Sequence, residues 1–194
     1  MPTAVTRSRR PVRAAATVAA AVLALAGCGR GGPAPDAPAA PAAPTASAAP
    51  ALLGTPADDL PAAEVVLTRP DGSAVSVAVR VAATPDDRAR GLMGVAELPA
   101  GTGMLFEFPG LASHGGFWMK DTLVPLDIAF AAAGEVVAVA TMTVCAADPC
   151  PITRPGRPYD AALEVPAGWL AQQGIGPGAG LRRVGPAVAE APSQ

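Results

Sequence analysis

Between Ala74 and Ala82 valine occupies every second position: Val75, Val77, Val79 and Val81 alternate with Ser76, Ala78 and Arg80. A helix would spread these valines around its circumference, whereas a strand puts them on one face. The stretch therefore predicts a half-buried strand. Glu64–Thr68 is a second short β-branched run, stopped by the turn sequence Arg69-Pro70-Asp71-Gly72, so the pair reads as a β-hairpin. Further strands are predicted over Gly103–Phe108, halted by Pro109-Gly110, and over Leu126–Phe130. Others are predicted over Glu135–Val144, the longest, and Ala161–Val165, and Gly178–Val184 reads as a turn and a final strand. Thr84-Pro85-Asp86-Asp87 opens a short helix. Thr84 suits the N-cap, Pro85 the first turn, and the two Asp favour the positive end of the dipole. Gly91 or Gly94 ends it. Ala167–Gln173, closed by Gly174, predicts a second short helix. Turn signals recur about every ten residues, so the expected class is mainly β (α+β). It is a small antiparallel β sandwich or barrel of about seven strands with two short helices.

Not all of the 194 residues belong to that domain. Arg7, Arg9, Arg10 and Arg13 precede an apolar run, Ala14–Ala26, of about 13 residues. That run is too short for a bilayer core needing roughly 20. A basic start, a short apolar stretch and small residues describe a secretory signal peptide. Leu25-Ala26-Gly27-Cys28 resembles a bacterial lipobox, and the resemblance implies a lipidated Cys28 as mature N-terminus. The alternative is an ordinary signal peptide cut near Ala26 or Gly27. Ser8-Arg9-Arg10 fits a twin-arginine signal poorly, so the export route stays open. Residues 29–61 are Pro- and Ala-rich without an aromatic side chain, too poor in apolar bulk to offset their ordering entropy. At about 3.1 Å per residue in polyproline II, they would make a spacer on the order of 100 Å long. The expected order is a lipoprotein signal peptide over 1–28, a disordered tether over 29–61, a β domain over 62–184 and a disordered tail over 185–194.

Charge and cysteine usage narrow the function. Without the four leader arginines, ten basic residues face sixteen acidic ones, a net charge of about −6. An acidic domain without a Lys/Arg cluster excludes nucleic acid as an expected partner and argues against direct adsorption to anionic lipid. Membrane attachment would run through the lipid. With Cys28 assigned to the lipobox, Cys145 and Cys150 remain as an even pair flanking the turn sequence Ala146-Ala147-Asp148-Pro149. In an oxidising compartment they are expected to form a disulfide. A metal or redox pair is the alternative, disfavoured by the four-residue spacing.

Chemical variety concentrates in Gly116–Phe130, which holds one of two Trp, two of four Phe and the sole Lys. Strand alternation would put Phe117, Met119 and Asp121 on one face and Trp118, Lys120 and Thr122 on the other. An indole beside an ammonium suits a sugar or an anion. The competing reading makes Trp118 a core plug, with Lys120 paired to Asp127, Glu107 or Glu164. Two acids among Glu107, Asp121, Asp127 and Glu164 could serve glycoside hydrolysis, but no pair is marked out. Ser73, Ser76 and Ser113 lie in no nucleophile elbow. His114, the single His, sits in a Gly-rich loop and reads as a loop residue. Met93, Met104, Met119 and Met142 invite a Cu(I) site, yet their apolar neighbours favour packing. Gly101-Thr102-Gly103 follows no strand and opens no helix, so it is no nucleotide loop.

Several of these segments resemble the DUF192 family. They are Arg90-Gly91-Leu92-Met93, Gly103-Met104-Leu105-Phe106, Phe117-Trp118-Met119-Lys120-Asp121-Thr122, Pro125-Leu126-Asp127-Ile128, and Ala162-Leu163-Glu164-Val165 with Gly168. The resemblance implies a small, mainly β domain, often exported and often lipid-anchored, with no catalytic residue assigned. The Cys loop looks like an elaboration found in part of that family and serving stability.

The expected function is a non-catalytic envelope module that binds a small polar ligand or glycan through Trp118, Lys120, Asp121, Asp127, Glu164 and Arg90. It would be an exported monomer, lipid-anchored on the extracytoplasmic face, without cofactor or metal. The rivals are a hydrolase using Asp127 or Glu164, and a structural partner of another envelope protein.

Overall fold

The valines of the alternating stretch share one face in the structure, a computed structural model that describes residues 57–112 and 115–185. β1 (Ala62–Thr68) and β2 (Ala74–Ala82) form the expected hairpin, with Val65 opposite Val77 and Leu67 opposite Val75. Val65, Leu67, Val77, Val79 and Val81 are all buried. The connecting turn closes through Gly72 N–H donating to the Arg69 carbonyl at 2.9 Å, and Asp71 accepts from Ser73 N–H at 2.9 Å.

α1 (Pro85–Arg90) follows, with the Thr84 hydroxyl accepting from Asp87 N–H at 3.1 Å and Asp86 and Asp87 in its first turn. The helix and the loop after it carry the chain back along the barrel. β3 (Thr102–Ala112) therefore runs parallel to β2, with Ala78 opposite Thr102 and Ala82 opposite Phe106. The sheet is thus mixed and not antiparallel throughout. A crossover of a dozen or more residues is what a parallel pair requires, and α1 with its loop supplies it.

The remaining elements are β4 (Phe117–Trp118), β5 (Leu126–Ala132), β6 (Glu135–Met142), β7 (Ile152–Thr153), β8 (Tyr159–Pro166), α2 (Trp169–Gln172) and β9 (Gly180–Val184). Seven strands close a barrel in the order β1-β2-β3-β8-β5-β6-β9, with β9 returning to β1. β4 and β7 form a separate two-residue ribbon. Several strand limits differ from expectation, that of β3 the most. Pro109-Gly110 does not stop β3. The strand continues to Ala112 across a register shift, where Gly110 takes φ 86° and a proline costs no ladder bond. At eleven residues β3 is longer than β6, which ends at Met142.

The core has two layers. Every barrel strand contributes to the interior cluster, through Val65, Val77, Leu105, Ala129, Val136, Leu163 and Leu181, and α2 adds Trp169 and Leu170. The alternate residues of β3, β5 and β8 form the second cluster, which includes Met104, Phe106, Leu126, Ile128, Phe130 and Ala162. Their faces point outward from the barrel and are covered by Leu60, Leu92, Val95, Leu98 and Met119. This covering layer moves the expected start of the domain. Ala57 and Leu60 are buried, and the Leu60 carbonyl accepts from Arg80 at 3.1 Å, so residues 57–61 pack with the barrel and do not belong to a tether. The signal segment, Cys28, the tether up to residue 56, His114 and the tail from residue 186 lie outside the described residues. Among the described residues no helix is long and apolar enough to cross a membrane.

Candidate functional site

The aromatic–lysine segment is not one continuous strand. Phe117 and Trp118 pair with Thr153 and Ile152, and then the chain turns, with Thr122 N–H donating to the Met119 carbonyl at 3.3 Å. Asp121 takes φ 53°, a left-handed conformation that Asp tolerates better than most residues. The alternation expected through Thr122 therefore ends at Trp118. Met119 and Thr122 are buried, Asp121 is exposed, and Trp118 keeps 49% of its surface in solvent. Asp121 contributes its carbonyl, which accepts from Gly94 N–H at 2.8 Å and ties this turn to the segment after α1.

Gly91 ends α1 at φ 50°, where a Cβ would lie 3.4 Å from the Phe106 ring. The backbone thus passes close to the far end of the phenyl ring, as glycine allows. A crevice of about 30 Å³ remains between these parts. Its walls are Arg88–Met93 on one side, Phe106 of β3, and Phe117, Trp118 and Thr122 on the other. The rings of Phe106 and Phe117 meet edge to face at 4.9 Å. Thr122 donates only a long hydrogen bond, 3.4 Å, to the Lys120 carbonyl.

Glu164 of β8 also lines the crevice. In the ladder it lies between Met104 of β3 and Ile128 of β5, on the outward, covered face of the barrel. It is only 4% exposed, yet no hydrogen bond or ion pair joins its carboxyl to another described residue. Burial pushes this carboxyl up to about 8. The group therefore carries a proton at neutral pH, because a low-polarity surround disfavours the charged form.

The other expected site residues fall in different places. Asp127 pairs in register with Val165, so it faces the barrel interior, on the opposite side of the sheet from Glu164. Its Oδ1 accepts from the Thr141 hydroxyl at 2.7 Å, and its Oδ2 accepts from Leu170 N–H at 3.1 Å. Gly168, the N-cap of α2, has no side chain to bond there, so Asp127 caps that helix from another strand. Asp127 is structural and does not belong to the crevice. Arg90 does line it, with its guanidinium held by Asp59 at 3.0 Å and Asp87 at 3.5 Å. Lys120 pairs with none of the carboxylates expected for it. Its Nζ lies 5.6 Å from the centroid of the Trp118 ring. Glu107 instead pairs with Arg183 at 2.8 Å.

Phe106, Phe117, Thr122, Gly91 and Met93 were not expected as site residues, although each lies in a segment that carried the family resemblance. Met104, Met119 and Met142 are core residues, and Met93 is half-buried at the crevice wall. Cys145 and Cys150 are joined, with Cα atoms 5.5 Å apart. A wider hollow of about 420 Å³ opens beside the β3 bulge, but its acids are engaged: Glu107 by Arg183, and Asp160 by Ala133 N–H at 2.9 Å.

Residues 66–183 match the DUF192 family, described as an uncharacterised ACR. The chain belongs to the DUF192 family. The match reaches every barrel strand, from Val66 within β1 to Arg183 within β9, and includes every residue of the crevice. No curated protein matches the chain. Among solved structures, it is similar to a protein of unknown function from Novosphingobium aromaticivorans, at 31% identity over 66% of this chain and 89% of that one, with TM-score 0.57. It is also similar to a protein from Sinorhizobium meliloti described as a candidate transcription regulator, at 29% identity over 64% of this chain and 95% of that one, with TM-score 0.58. Four of the segments that carried the DUF192 resemblance, the Arg90–Met93 turn, the Gly103–Phe106 strand, the Phe117–Thr122 segment and the Glu164 strand, meet at this one crevice.

Proposed function

We propose that this DUF192 chain is an exported lipoprotein, anchored through Cys28, whose domain binds a small polar ligand in the crevice over Glu164. The observation that carries the reading is a carboxyl, only 4% exposed, that lines an opening and has no partner among the described residues. Leaving such a group unpaired costs about 1–3 kcal/mol, and a ligand that hydrogen-bonds it recovers that cost. Trp118, half in solvent at the rim, offers an aromatic surface to whatever the crevice does not enclose. Arg90, Trp118 and Glu164 form the site, and Asp127 is left to the fold.

The test is a thermal-shift screen of the folded domain against wall sugars, amino acids, amines and nucleotides, repeated on Trp118→Ala and Glu164→Gln. A ligand at about 100 times its Kd stabilises by about 2.7 kcal/mol. The reading requires at least one such shift, lost in both variants; a panel without a shift, or a shift indifferent to both substitutions, removes it. For the anchor, fatty-acid labelling of the wild type and not of Cys28→Ala is expected, and equal labelling rules the anchor out.

A hydrolase with Glu164 as general acid is the second reading, favoured by the proton that this carboxyl holds at neutral pH. Among the described residues no second carboxyl lines the crevice, and Asp127 lies across the sheet. A reaction needing two acids would have to take its partner from elsewhere.

A further inference from the structure

We propose that the group the crevice receives is the –NH3+ head of a small primary amine, paired with the Glu164 carboxylate against the rings of Phe106, Phe117 and Trp118. This rests on the binding reading above and specifies its ligand. Three observations lead to it. The crevice is small, about 30 Å³, where one water needs about 10–15 Å³. An ammonium head, similar in size to a water, enters; a sugar ring does not. Its lining sets three aromatic rings and one carboxyl beside two guanidiniums, those of Arg88 and Arg90, which are engaged by other partners. Aromatic faces carry negative potential and attract cations, the pattern of cages that recognise alkylammonium groups. Finally, Glu164 has no cation of its own among the described residues, so a charged partner from outside would supply the missing pairing.

The nearby positive groups are committed elsewhere. Arg88 and Arg90 are the charged side chains on the walls besides Glu164. Arg88 donates to the carbonyls of Ala83 and Glu107 and lies 5.0 Å over the Phe108 ring. Arg90 is held by Asp59 and Asp87. The elements stacked on Glu164 from β3 and β5 present Met104 and Ile128, which are uncharged. Lys120, with its ammonium already against the Trp118 indole, marks that ring as a cation surface and would compete with an incoming amine. Binding is a proton exchange that balances. R–NH3+ enters, the Glu164 carboxyl gives its proton to solvent, and the ammonium–carboxylate pair remains.

The test is isothermal titration of the wild-type domain with n-butylammonium, n-butanol and butyrate at about pH 6.5, below the Glu164 titration, in phosphate and in HEPES. The expected result is binding of n-butylammonium about tenfold or more tighter than either analogue, with about one proton released per site from the buffer dependence of the heat. Nα-acetyl-lysinamide and phosphoethanolamine, titrated alongside, separate a side-chain amine from a headgroup amine. Glu164→Gln should weaken n-butylammonium by about tenfold, while Lys120→Gln should tighten it by removing the competing charge. Proton release is read on the wild type alone and needs no variant to fold. Butanol binding as well as n-butylammonium, no proton release, or weaker amine binding in Lys120→Gln overturns the proposal. If a neutral sugar then binds in a Glu164- and Trp118-dependent way, the binding reading stands and the amine falls. If nothing binds the wild type, both fall.

Discussion

Glu164 and Asp127 occupy neighbouring rows of the β5–β8 ladder and face opposite ways. One row decides their chemistry, since successive side chains of a strand alternate faces. Asp127 finds two donors; Glu164 finds none among the described residues. A stability prediction follows for Glu164. Its ordinary value of 4.5 is raised to about 8 by burial. Between these values the folded state holds a proton that the unfolded state has lost. The stability is fully present below 4.5 and is lost as the pH rises through about 8. The slope is about 1.4 kcal/mol per pH unit. Urea midpoints of wild type and Glu164→Gln, compared between about pH 5 and about pH 8, should diverge by that slope in favour of the variant as pH rises. Parallel curves would mean that the carboxyl is not buried as described. Gly103 gives a sharper case. A Cβ there would lie 2.2 Å from the Glu164 carbonyl of the adjoining strand. Gly103→Ala should cost about 3 kcal/mol through a parting of β3 from β8, read as a lowered Tm.

Single elements were legible where their signal is local. The hairpin, the Thr84 cap and the disulfide pair all depend on neighbours within a few residues, and each is present. The Phe117–Thr122 segment was not, because a two-residue strand followed by a turn looks the same as a longer alternation until its partner is known. That partner is Ile152–Thr153, more than thirty residues on. Gly116 records the contact: a Cβ there would approach Ile152 to 2.4 Å. α2 likewise takes its cap from Asp127, 43 residues away, so nothing beside the helix announces it. Asp127→Ala should therefore destabilise by about 2 kcal/mol, since Leu170 N–H loses its acceptor inside the core. Asp127→Asn keeps an oxygen at that point and should cost less. Equal losses in chemical denaturation would refute the capping role. Removing the Cys145–Cys150 bridge with a Cys145→Ser, Cys150→Ser pair should cost about 2 kcal/mol, as a short closed loop implies. An unchanged midpoint would mean that the bridge does not constrain the chain.

At the scale of the molecule, closure of the barrel creates the site. The outward faces of β3, β5 and β8 are as apolar as the interior ones, so they must be covered, and the Arg90–Leu98 and Phe117–Thr122 segments cover them. The crevice is the seam where these two covers meet over Glu164. A change that loosens either cover should affect ligand and fold together. Gly91→Val, which sets a β-branched side chain at φ 50° against the Phe106 ring, should lower both Tm and amine affinity. A variant with a lowered Tm and an unchanged amine affinity would place the ligand elsewhere.

Alternating valines, turn residues and cap signals were enough for a reader of the chain to expect a seven-strand, mainly β domain, its hairpin and its disulfide. Their cause is local: a side chain's face within a strand and a turn's backbone preference are set by immediate neighbours. Which strands pair, which face of each is covered, and whether a carboxyl finds a donor depend on residues tens of positions apart. The parallel β2–β3 pair, the inward Asp127 and a Glu164 without a partner among the described residues arose only on closure, when burial cost and cross-strand register acted on all seven strands at once.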